Sequence, residues 1–275
     1  MPARYPERIV CLTEETTETL YLLGEERRIV GISGYTVRPA RARREKPRVS
    51  AFVSAKIDRI LALKPDLVLG FSDLQADIAR DLAKAGLNVL LYNQRSVQEI
   101  LDMIFQLSAL VGAADKGRAL VAKLESGLDE IRASARRFAK RPRVYFEEWD
   151  EPMISGIRWV SELVELAGGE DVFADQSHSQ AASGRIIWDA SEVIRRQPDV
   201  ILASWCGKKF RPERVAARPG WHAIGAVRAG ELHEIKSADI LQPGPAALTD
   251  GVRRIHEILR ASVSRAPRTP LSGVA

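Results

Sequence analysis

Cysteine and aromatic residues are scarce in this chain of 275 residues, and long apolar runs are absent. Two cysteines, Cys11 and Cys206, are too few for a disulfide framework, so we expect free thiols. No apolar run approaches the ~18 residues that a membrane span needs. The first twelve residues carry no apolar signal core before the first predicted strand. We therefore expect a chain that does not span a membrane and has no export signal in this sequence.

The motifs of common catalytic and cofactor sites are also missing. The sequence contains no GxGxxG, no Walker-type phosphate loop, no GxSxG and no HExxH. Its four histidines lack metal-ligand spacing. The net charge of +5 comes mostly from arginines scattered between acids and apolar residues, and no nucleic-acid motif accompanies them. We expect no enzyme activity, no metal, no cofactor and no nucleic-acid partner.

One pattern of helix end, turn and buried strand occurs twice in the sequence. Residues 61–71, LALKPDLVLGF, predict the end of a helix, a turn at Pro65 and a strand buried on both faces. Residues 194–203, IRRQPDVILA, repeat this pattern. Both copies lead to an aromatic residue, Phe71 in the first and Trp205 in the second. Two similar strand ends in one chain indicate two lobes built on one plan.

Alternating strands and helices predict the fold class. In the first half, strands are predicted at 8–13, 28–33, 67–69 and 88–92, with helices at 16–23, 55–64 and 73–85. The second half restates the order, with strands at 143–146 and 232–235 beside the repeat and helices at 161–169, 189–196 and 245–261. This alternation with short loops predicts an α/β protein whose two lobes each contain a mainly parallel sheet covered by helices.

Two successive helices separate the halves. The first is predicted at 96–111, and the second, at 114–139, has apolar residues every three or four positions. The second helix is expected to be a stiff connection between the lobes. The predicted domains are an N-terminal lobe at 7–95, a helical segment at 96–141, a C-terminal lobe at 142–261 and a disordered tail at 262–275.

The few aromatic residues concentrate where predicted strands meet loops. Phe71, Trp149 and Trp205 follow strands, and Tyr35 and Phe52 lie in an irregular segment. In open α/β sheets, ligands bind beyond the carboxyl ends of the strands. The sequence therefore predicts an aromatic-lined binding site for a sizeable ligand.

Several phrases of the sequence are typical of one family. They include RIVCLTEETTETLYLLG at 8–24, IDRILALKPDLVLGF at 57–71, PRVYFEEWDEPMISG at 142–156, AGGEDVFAD at 167–175 and SEVIRRQPDVILA at 191–203. Over residues 7–261 the chain resembles the substrate-binding proteins of ABC importers for cobalamin, ferric siderophores and haem, most closely the vitamin B12-binding members. The resemblance implies a class III periplasmic-binding-protein-like fold, with two Rossmann-like lobes bridged by one long α-helix and a ligand held between them.

The resemblance also implies ligand-binding residues. In the cobalamin binders, aromatic residues of both lobes enclose the ligand. Asp239 matches an acidic position near the ligand, and a tryptophan of the family is replaced near Arg185. The matching positions here are Tyr35, Phe52 and Phe71 in the first lobe and Trp149, Met153 and the nearby Trp205 in the second.

Three further tryptophans are assigned by position alone. Trp159 is added to the predicted ligand site because it begins a predicted helix that faces the expected cleft. Trp188 and Trp221 precede or begin helices away from the repeated strand ends, so we expect them mainly to pack.

The physical properties of a corrinoid agree with an aromatic site. A corrinoid is large, fringed with amides and nearly neutral, so apolar and aromatic area would supply most of its binding. A ferric siderophore or haem would instead use clustered cations or a Tyr or His iron ligand. Two basic segments of the sequence keep that alternative open. The first, in the N-terminal half, is a basic loop with Arg38, Arg41, Arg43, Arg44 and Lys46, and the second, in the C-terminal half, contains Lys208, Lys209 and Arg211.

Partners and location follow from the same resemblance. Members of the family dock onto an ABC permease, which works with an ATPase, through one acidic residue on each lobe. Asp58 matches the first position; Ser191 aligns with the second, and Glu192 lies beside it. We expect a monomer in the periplasm or another extracytoplasmic space. Because no leader precedes the first strand, a cytosolic corrinoid carrier or sensor is the second alternative.

Overall fold

A computed structural model describes residues 5–265, and the chain divides into two compact units. The first unit holds the residues up to Gly127 together with Ala238–Asp250; the second holds Leu128–Ser237 and the residues from Gly251 onward. The predicted α/β class is confirmed, because each unit contains its own, mainly parallel, five-stranded sheet. Residues 238–250, which the sequence assigned to the C-terminal lobe, belong to the first unit because side chains of that unit bind them.

The first unit is an open sheet of parallel strands with the order β3-β2-β1-β4-β5. Its central strands are buried, as their Val, Ile and Leu content predicts. The elements are β1 (Ile9–Cys11), α1 (Glu14–Leu22), β2 (Ile29–Ser33), α2 (Ala42–Glu45), β3 (Arg48–Ser50), α3 (Ile57–Ala62), β4 (Leu67–Phe71), α4 (Ala76–Lys84), β5 (Val89–Tyr92) and α5 (Val97–Leu110).

The second unit has the strand order β10-β9-β6-β7, with β8 also paired to β6. Helix α6 (Ala114–Ala135) begins in the first unit and ends in the second. The remaining elements are β6 (Arg143–Asp150), β7 (Met153–Ser155), α7 (Arg158–Leu166), β8 (Glu170–Asp171), α8 (Ser191–Arg196), β9 (Val200–Ala203), α9 (Pro212–Ala216), α10 (Gly225–Ala229), β10 (Leu232–Glu234), α11 (Ser237–Ile240) and α12 (Val252–Arg265).

The Pro-Asp repeat has the same physical role in both units. Asp66 accepts the main-chain N–H of Arg8 at 3.0 Å, just before β1, and the Arg8 guanidinium donates to the carbonyl oxygen of Leu63 at 2.6 Å. In the second unit, Asp199 accepts the N–H of Arg143 at 2.9 Å, and Arg143 donates to a carbonyl at the end of α8. The aspartate thus anchors the start of the neighbouring strand. The arginine donates a hydrogen bond to a carbonyl oxygen left without a helical partner at the end of the helix that precedes the Pro-Asp pair.

Several predicted boundaries were wrong. The segment between β2 and α3 was predicted as irregular, but β3 forms there as an edge strand paired with β2. The antiparallel β7 and the short β8 were not predicted. Helix α6 ends at Ala135 rather than at 139. Residues 262–265 were assigned to a disordered tail but continue α12; the rest of that tail lies outside the described residues.

Candidate functional site

The strand order of the first sheet reverses between β1 and β4. At such a reversal, neighbouring connections diverge and leave a crevice outside the carboxyl ends of the strands. All three predicted ligand residues of the N-terminal lobe lie at this edge: Tyr35 follows β2, Phe52 follows β3, and Phe71 ends β4. The parallel strands therefore bring the three positions to one edge of the first unit.

The three aromatic side chains differ in accessibility. Tyr35 is 62% exposed and its hydroxyl has no hydrogen-bond partner within residues 5–265. Phe52 is half-buried. Phe71 is buried, and the guanidinium carbon of Arg95 lies 4.7 Å from its ring centroid. Tyr35 thus offers the largest free aromatic surface of the three.

Gln75 joins two of these aromatic positions. Its side chain is fully buried, and its Oε1 accepts the main-chain N–H of Phe71 at 3.0 Å. Its Nε2 donates to the carbonyl oxygen of Phe52 at 2.8 Å. This pair of bonds fixes the segment after β3 against the end of β4.

Glu14 holds the segment that carries Tyr35. Its Oε1 accepts the main-chain N–H of Val37 at 3.2 Å and that of Arg38 at 2.9 Å. Burial raises the pKa of Glu14 to about 8, with Glu18 adding to the rise, while the two backbone N–H donors oppose it. The neighbouring Glu15 is also buried, and burial raises its pKa to about 7.

Arg38 is the centre of an ion-pair cluster in the first unit. Its guanidinium donates to Glu18 at 2.9 Å, to Asp239 at 3.0 Å and to Asp250 at 2.8 Å. Asp239, predicted near the ligand, is therefore already paired. For the same reason Arg38 offers little free positive charge, although the sequence counted it in the basic loop. Arg41 is likewise paired, with Glu26 at 3.0 Å.

In the second unit, a cavity of about 320 Å³ opens beside the carboxyl ends of β6 and β9. Two predicted ligand residues, Met153 and Trp205, line it together with Asp150, Arg214 and Arg218. Trp205 itself is buried. Asp150 ends β6 and Trp205 follows β9, its parallel neighbour, while Met153 begins β7 directly opposite Asp150.

Trp149 lies at the same edge and is half-buried. The Nζ atom of Lys208 is 4.0 Å from its ring centroid and also 2.8 Å from the carboxylate of Asp150. Burial would raise the pKa of Asp150, but Lys208 outweighs this effect and the pKa lies below its ordinary value. The charge of Lys208 is thus shared between a carboxylate and an aromatic face.

Glu147 lies in β6, is fully buried, and binds three side chains at this edge. It accepts hydrogen bonds from the Trp205 indole at 2.9 Å, the Tyr145 hydroxyl at 2.9 Å and the Arg218 guanidinium at 2.5 Å. The carboxylate therefore fixes the orientation of Trp205 at the cavity. It also neutralises Arg218, a half-buried cation on the cavity wall.

The remaining tryptophans have contrasting surroundings. Trp159 is 3% exposed, so its side chain offers almost no surface to a ligand in this structure. Trp221 is fully buried against Tyr145, as predicted. The packing prediction for Trp188 is wrong, because its side chain is 84% exposed. At the position of the replaced tryptophan, Arg185 is buried and donates to Glu148 at 2.6 Å.

The two predicted docking residues also differ. Asp58, in α3, is exposed and has no ion pair within the described part of the chain. Glu192, in α8, is bound by Arg196 at 2.7 Å and also by Arg195. Asp58 therefore presents the freer carboxylate to a partner.

Sequence reasoning missed the residues that support the site. Glu14, Gln75, Glu147 and Arg218 were not among the predicted site residues. Glu14 follows β1, the first strand of its unit, whereas Glu147 lies within β6, the first strand of the other. The sequence did not reveal that these acidic side chains are buried, where their carboxyl groups accept hydrogen bonds from neighbouring segments.

Within residues 5–265, no group of three His, Cys, Asp or Glu side chains is arranged to hold a metal ion. In the same range, no helix has the length and apolar character needed to cross a membrane. Both cysteines, Cys11 and Cys206, are free.

Comparison with known proteins gives consistent results. The family model described as periplasmic binding protein matches residues 9–238. An uncharacterized ABC transporter substrate-binding lipoprotein, YvrC of Bacillus subtilis (strain 168), is 25% identical over 261 residues, covering 92% of this chain and 79% of its own length. A vitamin B12-binding protein of Yersinia pestis (strain Pestoides F) is 26% identical over 223 residues, covering 79% of this chain and 75% of its own.

The fold is also found in solved structures. The periplasmic haem-binding protein RhuT from Roseiflexus sp. RS-1 matches with a TM-score of 0.75 and 24% sequence identity. The match covers 92% of this chain and 99% of that protein. At this identity the likeness concerns the fold alone.

Proposed function

Because the chain belongs to the periplasmic binding protein family, we propose that it is the substrate-binding component of an ABC importer and that it binds a corrinoid such as cobalamin. The family consists of transport proteins rather than enzymes. The relatives described as an ABC transporter substrate-binding lipoprotein and as a vitamin B12-binding protein support the two parts of the proposal.

The observation that carries the corrinoid proposal is the exposed ring of Tyr35. It projects from a segment that Glu14 anchors, at the edge of the sheet where the strand order reverses. The ring is 62% exposed, so a ligand that packs on it would remove apolar area from water, which contributes about 25 cal/mol per Å². Burying one aromatic side chain removes roughly 150–250 Å² from water.

Three of the eight cations that the sequence offered for an anionic ligand are held by carboxylates. Arg38 and Arg41, which the sequence offered as receptors for an anionic siderophore, are paired with carboxylates. In the second unit, Lys208 is paired with Asp150. Paired charges exert a smaller field on a ligand than free ones, so these three cations attract an anionic ligand less than their number alone suggests.

A second candidate ligand is haem, and a specific observation favours it. The hydroxyl of Tyr35 is free within the described residues, and a tyrosine phenolate is one of the side-chain ligands of haem iron. The same residue therefore serves both proposals, through its ring in one and through its oxygen in the other.

Two substitutions of Tyr35 separate these ligands. In Tyr35→Phe the ring remains and the oxygen is lost, so corrinoid affinity should change less than threefold, whereas Tyr35→Ala should weaken it about tenfold or more. Absorbance titrations with cyanocobalamin and with hemin measure both. If Tyr35→Phe abolishes hemin binding and the wild-type protein ignores cyanocobalamin, haem is the ligand and the corrinoid proposal fails.

The proposed location and partner follow from the same role. A substrate-binding component acts outside the cytoplasm and delivers its ligand to a permease. The exposed Asp58 is the first docking candidate and Glu192 the second, because Glu192 is already bound by arginines.

A further inference from the structure

Trp188 is the most exposed large apolar side chain within residues 5–265, at 84%. It lies just before α8 in the second unit, and its indole N–H has no hydrogen-bond partner in the described part of the chain. The side chain does not line the cavity that Met153 and Trp205 border. Small ligands bind in concave sites, whereas tryptophan is enriched among the residues that anchor protein interfaces. The surroundings of Trp188 therefore favour a protein partner over a small ligand.

The backbone before Trp188 determines where its side chain points. Ile186 pairs with Ile154 of β7 in an antiparallel bridge. The N–H of Ile187 donates to the carbonyl oxygen of Met153 at 2.8 Å. Successive side chains of an extended segment point to opposite faces, and Ile187 is buried in the core of the second unit. The burial of Ile187 therefore directs Trp188 outward.

The same pairing places Trp188 at the carboxyl edge of the second sheet. Met153 begins β7 opposite Asp150, the last residue of β6. Because the bridged segment runs antiparallel to β7, it leads toward this edge, and Trp188 follows it there. Ligands of open α/β sheets bind at the carboxyl edge, so a permease that receives the ligand must approach this edge of the unit.

The charged side chains at the start of α8 bind one another. The carboxylate of Asp189 is 3.1 Å from the guanidinium of Arg195. Glu192 is bound by both Arg195 and Arg196. The two carboxylates and the two guanidinium groups balance in charge, so they exert little field on an approaching partner. Trp188 offers apolar ring area instead, and the cores of protein interfaces are depleted in charge and enriched in aromatic residues.

The Pro-Asp repeat shows that the two units differ at equivalent helices. Asp58 lies seven residues before Pro65, and Ser191 lies seven residues before Pro198, so α3 and α8 begin at corresponding places. In the first unit, α3 presents the exposed carboxylate of Asp58. In the second, the exposed group is the ring of Trp188. The two units thus present different chemical groups at equivalent places.

We propose that Trp188 anchors the second unit to the permease by inserting its indole into an apolar pocket on the permease surface. This inference rests on the proposed role as the substrate-binding component of an importer. Burying the side chain removes roughly 150–250 Å² from water, which a single salt-exposed ion pair does not match. Asp58 then contributes charge to docking at the first unit, and Trp188 contributes apolar contact at the second.

The test is biolayer interferometry of the full chain, without ligand, on the purified permease–ATPase complex held in nanodiscs. We expect Trp188→Ala to weaken binding about tenfold or more. Trp188→Phe should keep most of the affinity, because phenylalanine retains an aromatic ring. Leu22→Ala, at an exposed leucine that ends α1, is the control and should bind like the wild type. In a separate titration, the affinity of Trp188→Ala for cyanocobalamin should stay within about twofold of the wild-type value.

The outcomes separate this inference from the proposed function. If the wild-type chain does not bind the permease complex, the importer role itself fails. If the wild type binds and Trp188→Ala binds equally well, only the anchoring role of Trp188 is overturned. Weakened cyanocobalamin affinity in Trp188→Ala would assign the residue to the ligand site and overturn the inference. A wild-type dimer that Trp188→Ala dissociates would also overturn it, since a second copy is then the occupant. Circular dichroism of each variant checks the fold.

Discussion

Glu14 accepts the main-chain N–H of Arg38 at 2.9 Å, and through this bond the first helix holds the segment that carries Tyr35. The carboxyl group that makes this contact is buried and has a pKa of about 8. At neutral pH it is therefore mostly protonated. The anchor of the most exposed aromatic residue of the predicted site is thus sensitive to pH.

The stability of the first unit should fall as the pH rises from about 5 to about 8. The folded pKa of Glu14, about 8, exceeds its ordinary value of 4.5, so the folded chain binds this proton more tightly than the unfolded chain. The stabilising contribution is complete below the ordinary value and is lost as the pH rises through the folded value. The slope approaches about 1.4 kcal/mol per pH unit for one group, and Glu15 adds to it.

Glu14→Gln tests this assignment. Glutamine keeps an acceptor oxygen for the two N–H groups and cannot ionise. We expect the variant to be more stable than the wild type at pH 8, by more than ~1 kcal/mol, and to have a shallower pH dependence in urea unfolding. Glu125→Gln, at an exposed position, is the control. An unchanged pH dependence in Glu14→Gln would count against the assignment.

Gln75→Leu should destabilise the first unit by about 2–4 kcal/mol. The substitution leaves the N–H of Phe71 and the carbonyl of Phe52 without their shared partner, and each unsatisfied buried group costs about 1–3 kcal/mol. Chemical denaturation measures the change. The exposed Gln98→Leu, on α5, should alter stability by less than ~0.5 kcal/mol. Equal effects of the two changes would show that Gln75 does not fix the Phe52 segment.

Glu147→Ala should cost about 3–5 kcal/mol, because it leaves the Arg218 guanidinium half-buried without its carboxylate. The indole of Trp205 also loses its acceptor, so the tryptophan fluorescence of the folded protein should change. Glu213→Ala, an exposed glutamate on α9, provides the comparison and should change stability by less than ~0.5 kcal/mol. A Glu147→Ala protein with wild-type stability would contradict the anchoring role.

Much of the fold follows from local patterns in the sequence. The Pro-Asp repeat predicted β4 and β9 because proline ends the preceding helix and the apolar run that follows can only be buried. The edge strand β3 was not predicted, since its three residues have no apolar run and gain their order from pairing with β2. Residues 238–250 were misassigned because contacts between distant residues, such as Arg38 with Asp239, have no local signature.

For the candidate site, too, the sequence predicts some features and not others. The positions of Phe71, Trp149 and Trp205 follow from where strands end, which the sequence pattern reveals, whereas Tyr35 was placed only in an irregular segment. The accessibility of the side chains does not follow from the pattern, because it depends on what packs over each ring. Phe71 and Trp205 are buried, and Tyr35 and Trp188 are exposed. Glu147 carries no sequence signal of its role, since an acid after a hydrophobic run is usually solvated.

Asp58→Lys should reduce ligand uptake by cells or by reconstituted transporter at least tenfold without altering ligand affinity. The exposed carboxylate is the proposed contact with permease arginines, and the substitution reverses its charge. Glu192→Lys should have a smaller effect, because Arg195 and Arg196 already hold that carboxylate. Asp77→Lys, at an exposed aspartate on α4, is the control. Normal uptake by the Asp58→Lys protein would exclude this residue from docking.

Isothermal titration of the wild-type chain with cyanocobalamin and with cobinamide tests the central proposal most directly. We predict one site per chain, a dissociation constant below the micromolar range, and a shift in the visible spectrum of the bound corrinoid. The same titration of Tyr35→Ala should give an affinity about tenfold or more weaker. No heat and no spectral change with either corrinoid at micromolar concentrations would contradict the proposal.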